Sequence, residues 1–297
     1  MKILITGITG FVGKNLLPLL QIEGNQLLLL VRDSNKINSW NVLNENTNCV
    51  LITDVDWKDT IKRFKPEVVL HLATFSTSLD DEKSIEQLIQ SNLQFGTHLL
   101  DALKGTSLKA FINVGTFAEY HNNSKSYSPA YLYAATKTAF RSIVNYYQAI
   151  EGFKFFHVVP YTIYGAADTQ KKLINYILDS FQAEQAVKMT PGEQELDFIH
   201  IEDVVNFFAT LIHNVDKIEG SFHEIHLGTG IGTTPKKIAS ILETFIGKKA
   251  NIEWGGRPYR PLDTMLAKAT YHLPSEIINW KPTITIEEGL RRYVETN

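Results

Sequence analysis

Hydrophobic residues in the first half of the chain form short continuous runs that alternate with longer segments of helical period. The runs are rich in Ile, Val and Leu, as strands buried on both faces are, and they cover residues 2–7, 26–32, 48–54, 67–73, 110–115 and 153–165. Amphipathic segments at 11–24, 84–104 and 132–152 predict helices between them. Strands joined through helices predict an α/β fold with a doubly wound parallel sheet, which binds ligands at the carboxyl ends of its strands.

Three glycines follow the first predicted strand at every third position, as Gly7, Gly10 and Gly13. Between a strand and a helix, the first glycine permits a tight turn and the second lets the backbone approach a pyrophosphate. The third lets the helix pack closely on the sheet, and the helix offers its N–H groups to the phosphates. The spacing therefore predicts a Rossmann-type dinucleotide site. Further candidate contacts in this loop are Thr9, Phe11 and Val12.

The end of the second predicted strand bears on the choice of cofactor. At this place an acidic residue would bind the ribose 2′-OH of NAD, whereas an arginine would bind the 2′-phosphate of NADP. Arg32 occupies the strand end, with Lys36 nearby, and Asp33 stands beside it. We therefore favour NADP(H) and keep NAD(H) as the alternative.

The next two strand ends supply further candidate cofactor contacts. Asp54 and Val55 are predicted to meet the adenine, and Leu72 and Ala73 to line the middle of the cofactor. His71, in the same stretch, is more typical of a core histidine with a satisfied hydrogen bond.

The second half of the chain predicts a smaller lobe interwoven with the first domain. Residues 171–186 are amphipathic, residues 187–201 look like a short extended pair, and residues 201–214 return as a helix. Thr234 followed by a proline marks another helix start, and a last helix covers 286–296. The predicted domains are a dinucleotide-binding domain at 1–165 with the returning segment 197–228, and a substrate-binding lobe formed mainly by 166–196 and 229–297.

Composition narrows the class of protein. The 297 residues are 44% hydrophobic and 21% charged, which are ordinary globular values. A formal net charge of -3 gives no electrostatic reason to expect nucleic acid or a membrane surface as partner. The single cysteine excludes an internal disulfide framework, and nine scattered histidines show no metal-ligand spacing. Without a signal peptide or a stretch of about 18 apolar residues, the sequence predicts a cytoplasmic protein.

Tyr133 and Lys137 lie four residues apart on a predicted helix, so their side chains project from one face. A nearby ammonium would favour the phenolate and lower the tyrosine pKa from about 10. Such a pair is suited to general acid–base catalysis. The same spacing also arises by chance among 12 tyrosines, although Tyr127 and Tyr131 have no such lysine.

Together these motifs resemble the extended short-chain dehydrogenase/reductase family, of the NAD-dependent epimerase/dehydratase type. The resemblance extends over essentially the whole chain, at 6–13, Asp54, 71–73, Asn92, Thr116, Tyr133, Lys137, 162–165 and 197–204. It implies an oxidoreductase in which the Thr116 hydroxyl donates to the substrate oxygen, Tyr133 gives or takes a proton and Lys137 also holds the nicotinamide ribose. Asn92 and Tyr161 are further candidate cofactor contacts.

Departures from the family pattern restrict the reaction. Family 4,6-dehydratases carry an Asp-Glu pair directly after the threonine, where this chain has Phe117 and Ala118. Dehydration is therefore disfavoured, although Glu119 lies one residue further on. The usual arginine before the turn at 162–165 is replaced by Val159, and the usual asparagine by Thr162.

The loop at 256–265 resembles the family's arginine-containing loop that clamps a nucleotide diphosphate. Arg260 is the candidate for this clamp and Arg257 the reserve, because a planar guanidinium can bind two phosphate oxygens at once. Phe117, Tyr164 and Thr116 are further candidate substrate contacts. A nucleotide sugar is the implied substrate.

The stretches 113–120, 192–198 and 258–261 look most like reductases of nucleotide-linked 4-keto-deoxysugars, such as the CDP-abequose and CDP-paratose synthases of O-antigen pathways. The sequence thus predicts NADPH-dependent reduction of the C4 ketone of a CDP- or dTDP-linked sugar. An NAD-dependent 4-epimerase stays open, as does a non-catalytic NADP-binding regulator, although such regulators generally lose the Tyr–Lys pair. The resemblance also implies a homodimer formed through the predicted helices 84–104 and 132–152.

Overall fold

The apolar runs of the first half form strands in the computed structural model, which describes residues 1–33, 35, 37, 39–40, 42–166, 168 and 170–296. The strands are β1 (Lys2–Thr6), β2 (Gln26–Val31), β3 (Thr47–Leu51), β4 (Val68–His71), β5 (Ala110–Val114), β6 (Lys154–Pro160), β7 (Thr162–Tyr164), β8 (Val187–Met189), β9 (Glu195–His200), β10 (Phe222–Leu227), β11 (Gly232–Thr233), β12 (Ile252–Trp254) and β13 (Leu266–Ala267). Every strand predicted for the first half is present.

The α-helices include all those predicted. They are α1 (Phe11–Ile22), α2 (Trp57–Phe64), α3 (Glu82–Ile89), α4 (Phe95–Ala102), α5 (Leu132–Glu151), α6 (Leu173–Ser180), α7 (Ile201–Asn214), α8 (Pro235–Ile246), α9 (Ser275–Ile278) and α10 (Ile286–Thr296). A π-helical turn, Gln90–Gln94, joins α3 to α4, so the helix predicted at 84–104 is continuous but locally widened. The short helix α2 was not predicted.

Seven strands pair in parallel in the order β10-β6-β5-β4-β1-β2-β3. Side chains of α1 and α7 pack on one face of this sheet, and side chains of α4 and α5 on the other. The predicted Rossmann-type, doubly wound fold is therefore confirmed. The strand order reverses between β1 and β4, which opens a crevice at their carboxyl ends.

Successive residues of the central strands enter opposite cores because strand side chains alternate. Ile3 and Ile5 of β1 pack in the core that contains α1 and α7, whereas Leu4 between them packs in the core that contains α4 and α5. All three side chains are fully buried. This two-sided burial explains why the strands read as continuous apolar runs rather than as alternating ones.

The second half of the chain builds a small lobe beside the carboxyl ends of the large sheet. In this lobe β9 pairs with β7 and β13 in parallel and with β11 in antiparallel orientation, while β8 pairs with β12. The expected pairing within 187–201 is therefore wrong: both segments are extended, but β8 pairs with the later β12, and β9 pairs with the earlier β7 and the later β11 and β13. After β9 the chain returns to the large sheet as α7 and β10.

Asp197, at the middle of β9, fastens two later segments to this lobe. Its carboxylate is fully buried and accepts backbone hydrogen bonds from Thr229 at 2.8 Å, Gly230 at 2.7 Å and Ala269 at 3.1 Å. The hydroxyl of Thr229 donates to the same carboxylate at 2.6 Å. One side chain thus holds the segments after β10 and after β13 against β9.

Replacing this carboxylate should destabilise the fold strongly. We expect Asp197→Ala to lower the free energy of unfolding by about 3–5 kcal/mol, because buried N–H donors lose a charged acceptor. Urea denaturation followed by circular dichroism measures the loss. The control is Glu195→Ala on the same strand, whose side chain is 50% exposed, and which should cost less than about 1 kcal/mol. Equal losses in the two variants would contradict the assigned role.

Candidate active site

A cleft of about 690 Å³ runs along the carboxyl ends of the large sheet. One end is formed by the glycine-rich loop between β1 and α1 and by Arg32 after β2. The middle is lined by residues that follow β4, and the far end by the loop after β5, the start of α5 and residues 160–163. This is where a doubly wound sheet binds its ligand.

The glycine loop has the geometry that a dinucleotide requires. Gly7 has a φ of +70°, and a Cβ there would lie 2.5 Å from the backbone N of Ala73. A Cβ on Gly13 would lie 2.5 Å from the Cα of Ile8. Gly10 is the N-cap of α1 and supplies no side-chain cap. The first-turn N–H groups of α1 have no partner within the helix, so the site fits a pyrophosphate.

Most predicted cofactor contacts are brought together here. The cleft lining contains Gly7, Thr9, Gly10, Phe11, Val12, Gly13, Arg32, Leu72, Ala73, Tyr133 and Tyr161. Lys36 lies outside the described residues. His71 is buried against the hydroxyl of Thr6, with 2.9 Å between Oγ1 and Nδ1, and does not line the cleft, as expected of a core histidine.

Two predicted adenine contacts are placed elsewhere. The Oδ2 atom of Asp54 accepts a hydrogen bond from the backbone N of Leu51 at 3.1 Å, and the side chain of Val55 is fully exposed. Neither residue lines the cleft, whereas Ile52 does. The reason is a tight turn after β3, which directs the chain away from the cleft once Ile52 has been passed.

Asn92 supports the cleft but does not line it. Its Oδ1 accepts from the hydroxyl of Thr74 at 3.0 Å and from the backbone N of Phe75 at 2.8 Å. Its Nδ2 donates to the hydroxyl of Thr136 on α5 and to the carbonyl of Phe75, both at 3.0 Å. The amide therefore ties the loop after β4 to the helix that carries Tyr133, and a direct contact of Asn92 with the cofactor stays a prediction.

Thr116 and Tyr133 both line the far part of the cleft. Thr116 follows β5, and its hydroxyl accepts from the backbone N of Ala118 at 3.3 Å. Tyr133 stands in the first turn of α5, where its ring stacks on Tyr131 at 6.0 Å between centroids. The elements that follow β5 thus bring a hydroxyl and a phenol to one place, as the sequence predicted.

Burial controls the protonation of Tyr133 and Lys137. It raises the pKa of Tyr133 above its ordinary value, and Tyr131 and Glu119 act in the same direction. The expectation that the pKa of Tyr133 is lowered is therefore wrong for this structure, because the loss of solvation raises this pKa and is the largest effect. Burial lowers the pKa of Lys137 to about 8, although Glu119 opposes the shift. At neutral pH the phenol keeps its proton.

Lys137 lies below the cleft and does not line it. Only 3% of the residue is exposed, and its charge acts on buried His71, whose pKa burial lowers to about 3. The predicted contact of Lys137 with the nicotinamide ribose stays a prediction, because Lys137 is not among the residues that line the cleft.

Glu119 is a fully buried carboxylate that joins the loop after β5 to α5. It accepts from the backbone N of Thr116 at 2.9 Å and from the hydroxyl of Thr138 at 3.0 Å, and it lies 3.4 Å from Nε2 of His157. Burial acts to raise the pKa of Glu119, but His157 and these hydrogen bonds hold it below its ordinary value. Glu119 does not line the cleft, so it is not positioned as the base of a dehydration.

Tyr164 lies outside the main cleft, contrary to its predicted role as a substrate contact. Its ring is buried in the core of the small lobe, and its hydroxyl donates to the carbonyl of Thr285 at 3.5 Å. A Cβ added to Gly289 of α10 would collide with this hydroxyl. Residues 161–163 reach the cleft, and Tyr164, which follows them at the end of β7, packs in the core of the small lobe instead.

The proposed phosphate clamp lies at the surface. Arg260 has a 65% exposed side chain, which lies 3.6 Å from a carboxylate oxygen of Asp263, and it does not line the cleft. Its charge nevertheless acts on the phenol of Tyr131, which does line the cleft. Arg257 is also exposed. A phosphate contact of either arginine stays a prediction.

Several polar residues of the cleft were missed by the sequence reasoning. Thr74 and Ser76 follow β4 and line the cleft, and their hydroxyls act to lower the pKa of Tyr133 against the larger effect of burial. Their position directly after a strand at the reversal of strand order was a usable signal. Lys172 also lines the cleft, with its ammonium 5.4 Å from the ring centre of Phe11, but nothing in its local sequence marks it.

Among the residues that the structure describes, no group of three or more His, Cys, Asp or Glu side chains is placed to hold a metal ion. None of their helices combines the length and the apolar character needed to cross a membrane.

Residues 3–225 match the model of the NAD dependent epimerase/dehydratase family. The CDP-abequose synthase of Salmonella typhimurium is 27% identical, over 99% of this chain and 97% of that protein. The UDP-glucuronate 4-epimerase of Thermodesulfobacterium geofontis is 26% identical, over 98% and 94%. Among solved structures, the UDP-glucuronic acid 4-epimerase of Bacillus cereus, with UDP-glucuronic acid and NAD, has a TM-score of 0.85 at 20% identity, over 99% and 98%, which shows a shared fold.

The negative charge of Glu119 should stabilise the protonated form of Lys137. We expect Glu119→Gln to lower the pKa of Lys137 from about 8 by about one unit, because a neighbouring negative charge favours the ammonium. The lysine Cε signals of the ¹³C-labelled protein, followed by NMR across pH, measure this, and Lys137→Arg assigns the signal. Glu82→Gln, at an exposed position on α3, is the control. An unchanged titration in Glu119→Gln would show that the two charges are not coupled.

Proposed function

The chain belongs to the NAD dependent epimerase/dehydratase family, and from this premise we propose that it uses NADPH to reduce the C4 ketone of a CDP- or dTDP-linked 4-keto-deoxysugar. The observation that carries the proposal is the meeting of Thr116 and protonated Tyr133 in one cleft with the glycine loop and Arg32. CDP-abequose synthases, similar over nearly the whole chain, support it. Such a reaction belongs to deoxysugar biosynthesis of the O-antigen type, in the cytoplasm.

In the proposed reaction the chain's residues handle the proton. The hydroxyl of Thr116 donates a hydrogen bond to the ketone oxygen and polarises the C–O bond. Tyr133 gives its proton to the same oxygen, for which a raised pKa is suited because the phenol is protonated at the start. Charged Lys137 then stabilises the phenolate until water restores the proton. NADPH, when bound, supplies the hydride to C4, so a ketone, NADPH and one proton taken from solvent through Tyr133 become an alcohol and NADP⁺.

A nucleotide-sugar 4-epimerase is the second candidate, because 4-epimerases stand among both the relatives and the similar structures. An epimerase would use the same three residues with a retained NAD that is reduced and then reoxidised. Arg32 at the cofactor end favours NADP(H) and hence the reductase. Purified protein that carries NAD and interconverts a nucleotide sugar without external NADPH would establish the epimerase.

We also propose a homodimer. Ile85 and Ile89 on α3 and Tyr146 and Ile150 on α5 are large apolar side chains that are exposed on the outer faces of two neighbouring helices. A second copy of the same face would cover them, since a two-fold interface buries the same patch on both subunits.

Loss of the phenol should abolish proton transfer. We expect Tyr133→Phe to reduce turnover of CDP- or dTDP-linked 4-keto-6-deoxyglucose by about 10²- to 10⁴-fold, with NADPH binding unchanged. The absorbance of NADPH measures turnover, and quenching of protein fluorescence measures binding. Tyr176→Phe, at an exposed tyrosine on α6, should keep full activity. Normal turnover by Tyr133→Phe would refute the assigned role.

Arg32 should determine the preference for NADPH. We expect Arg32→Ala to weaken NADPH binding by about 10- to 100-fold, because a charge-assisted bond to the 2′-phosphate is lost, and to change NADH binding by less than about 3-fold. Titration calorimetry with the two cofactors measures both, and Arg63→Ala, an exposed arginine on α2, is the control. Equal effects on the two cofactors would contradict the assignment.

A further inference from the structure

The wall of the cleft beside Thr116 consists of two stacked aromatic rings. Phe117 directly follows Thr116, and its ring lies on that of Tyr161 with 5.8 Å between centroids and 19° between planes. Both residues line the cleft. Ala267 and Ala269 of the small lobe pack in the same apolar cluster. The surface next to the proposed reacting oxygen is therefore largely hydrocarbon.

The hydroxyl of Tyr161 is engaged by a buried residue outside the cleft. Its oxygen lies 3.1 Å from Nδ1 of His226, which is fully buried and is not part of the cleft lining. The other ring nitrogen, Nε2, lies 3.0 Å from a carboxylate oxygen of Glu224. Because an ionised carboxylate only accepts, Nε2 carries the hydrogen and Nδ1 accepts the proton of the Tyr161 hydroxyl.

An ion pair with α5, the helix that carries Tyr133, keeps Glu224 in its charged form. Arg141, four residues after Lys137 on α5, pairs with Glu224 and donates to the hydroxyl of Tyr120 at 3.0 Å. Burial acts to raise the pKa of Glu224, but its hydrogen bonds to His226 and Tyr120 and the charge of Arg141 hold it at about 2. The tautomer of His226 and the direction of the Tyr161 hydroxyl are therefore determined together.

We propose that Phe117 and Tyr161 determine specificity, and that they select a sugar that lacks a hydroxyl or carboxylate on a carbon close to C4. The inference rests on the proposed function, since that function brings C4 to Thr116. A polar substituent against the stacked rings would lose its water and find no hydrogen-bond donor there, because the hydroxyl of Tyr161 donates its single proton to His226. A methyl or methylene group at the same place would gain from burial.

Binding of sugars that differ at one carbon tests this proposal. The probes are the CDP- and dTDP-linked forms of glucose, 6-deoxyglucose, 3-deoxyglucose and glucuronic acid, titrated by calorimetry into the protein saturated with NADP⁺. Among the four sugars that are linked to the same nucleotide, at least one deoxy sugar should bind about 10-fold or more tighter than glucose, and glucuronic acid should bind most weakly. Glucose or glucuronic acid binding as tightly as both deoxy sugars would overturn the proposal.

Two variants test whether the rings of Phe117 and Tyr161 cause the preference for deoxy sugars. Phe117→Asn supplies polar atoms at the rings and should reduce the preference to less than about 3-fold. Tyr161→Phe should leave it unchanged, because the missing hydroxyl is turned towards His226 and not towards the sugar. Phe245→Asn, at an exposed position on α8, is the matched control for Phe117→Asn. A preference that Tyr161→Phe abolishes, or that Phe117→Asn leaves intact, would refute the assigned wall.

The outcomes separate this inference from the proposed function. If no sugar of either set binds, the proposed function fails and this inference fails with it. If the sugars bind without a preference for a deoxy form, only this inference fails. Even if Phe117→Asn does not fold, the affinities of the four sugars for the unmodified protein still test the proposal.

Discussion

The rest of the site depends on two opposite charges that are buried beneath the cleft. Lys137 is an ammonium with almost no access to water, and Glu119 is a carboxylate with none. Either charge alone in such a place would be strongly disfavoured, and together they reduce each other's cost. Glu119 also accepts hydrogen bonds from Thr116 and Thr138, so the residue that supports the charge of Lys137 also holds the loop after β5 on α5.

The cleft is assembled from chain ends that the parallel sheet brings to one edge. The glycine loop follows β1, Thr74 and Ser76 follow β4, Thr116 follows β5, and Tyr161 follows β6. Asn92 on the widened π-helical turn then ties the segment after β4 to α5. The segment after β4 and the helix that carries Tyr133 thus keep their relative positions through hydrogen bonds of a side chain that does not line the cleft.

The same set of threonine, tyrosine and lysine can serve a reductase and an epimerase, so these residues alone do not separate the two. What separates them is the fate of the cofactor and the surface that faces the sugar. Arg32 bears on the first, and the stacked rings of Phe117 and Tyr161 bear on the second. Both features favour a keto-deoxysugar as the substrate of external NADPH.

The sequence by itself determined the parallel sheet, the glycine loop and the pair formed by Tyr133 and Lys137, because these depend on local spacing along one strand or helix. Only the tertiary structure decided that burial raises the pKa of Tyr133, that Tyr164 faces the lobe core and that β8 pairs with β12. These properties depend on which distant segments surround a residue. Solvation and long-range pairing are set by that surrounding, and no local pattern encodes it.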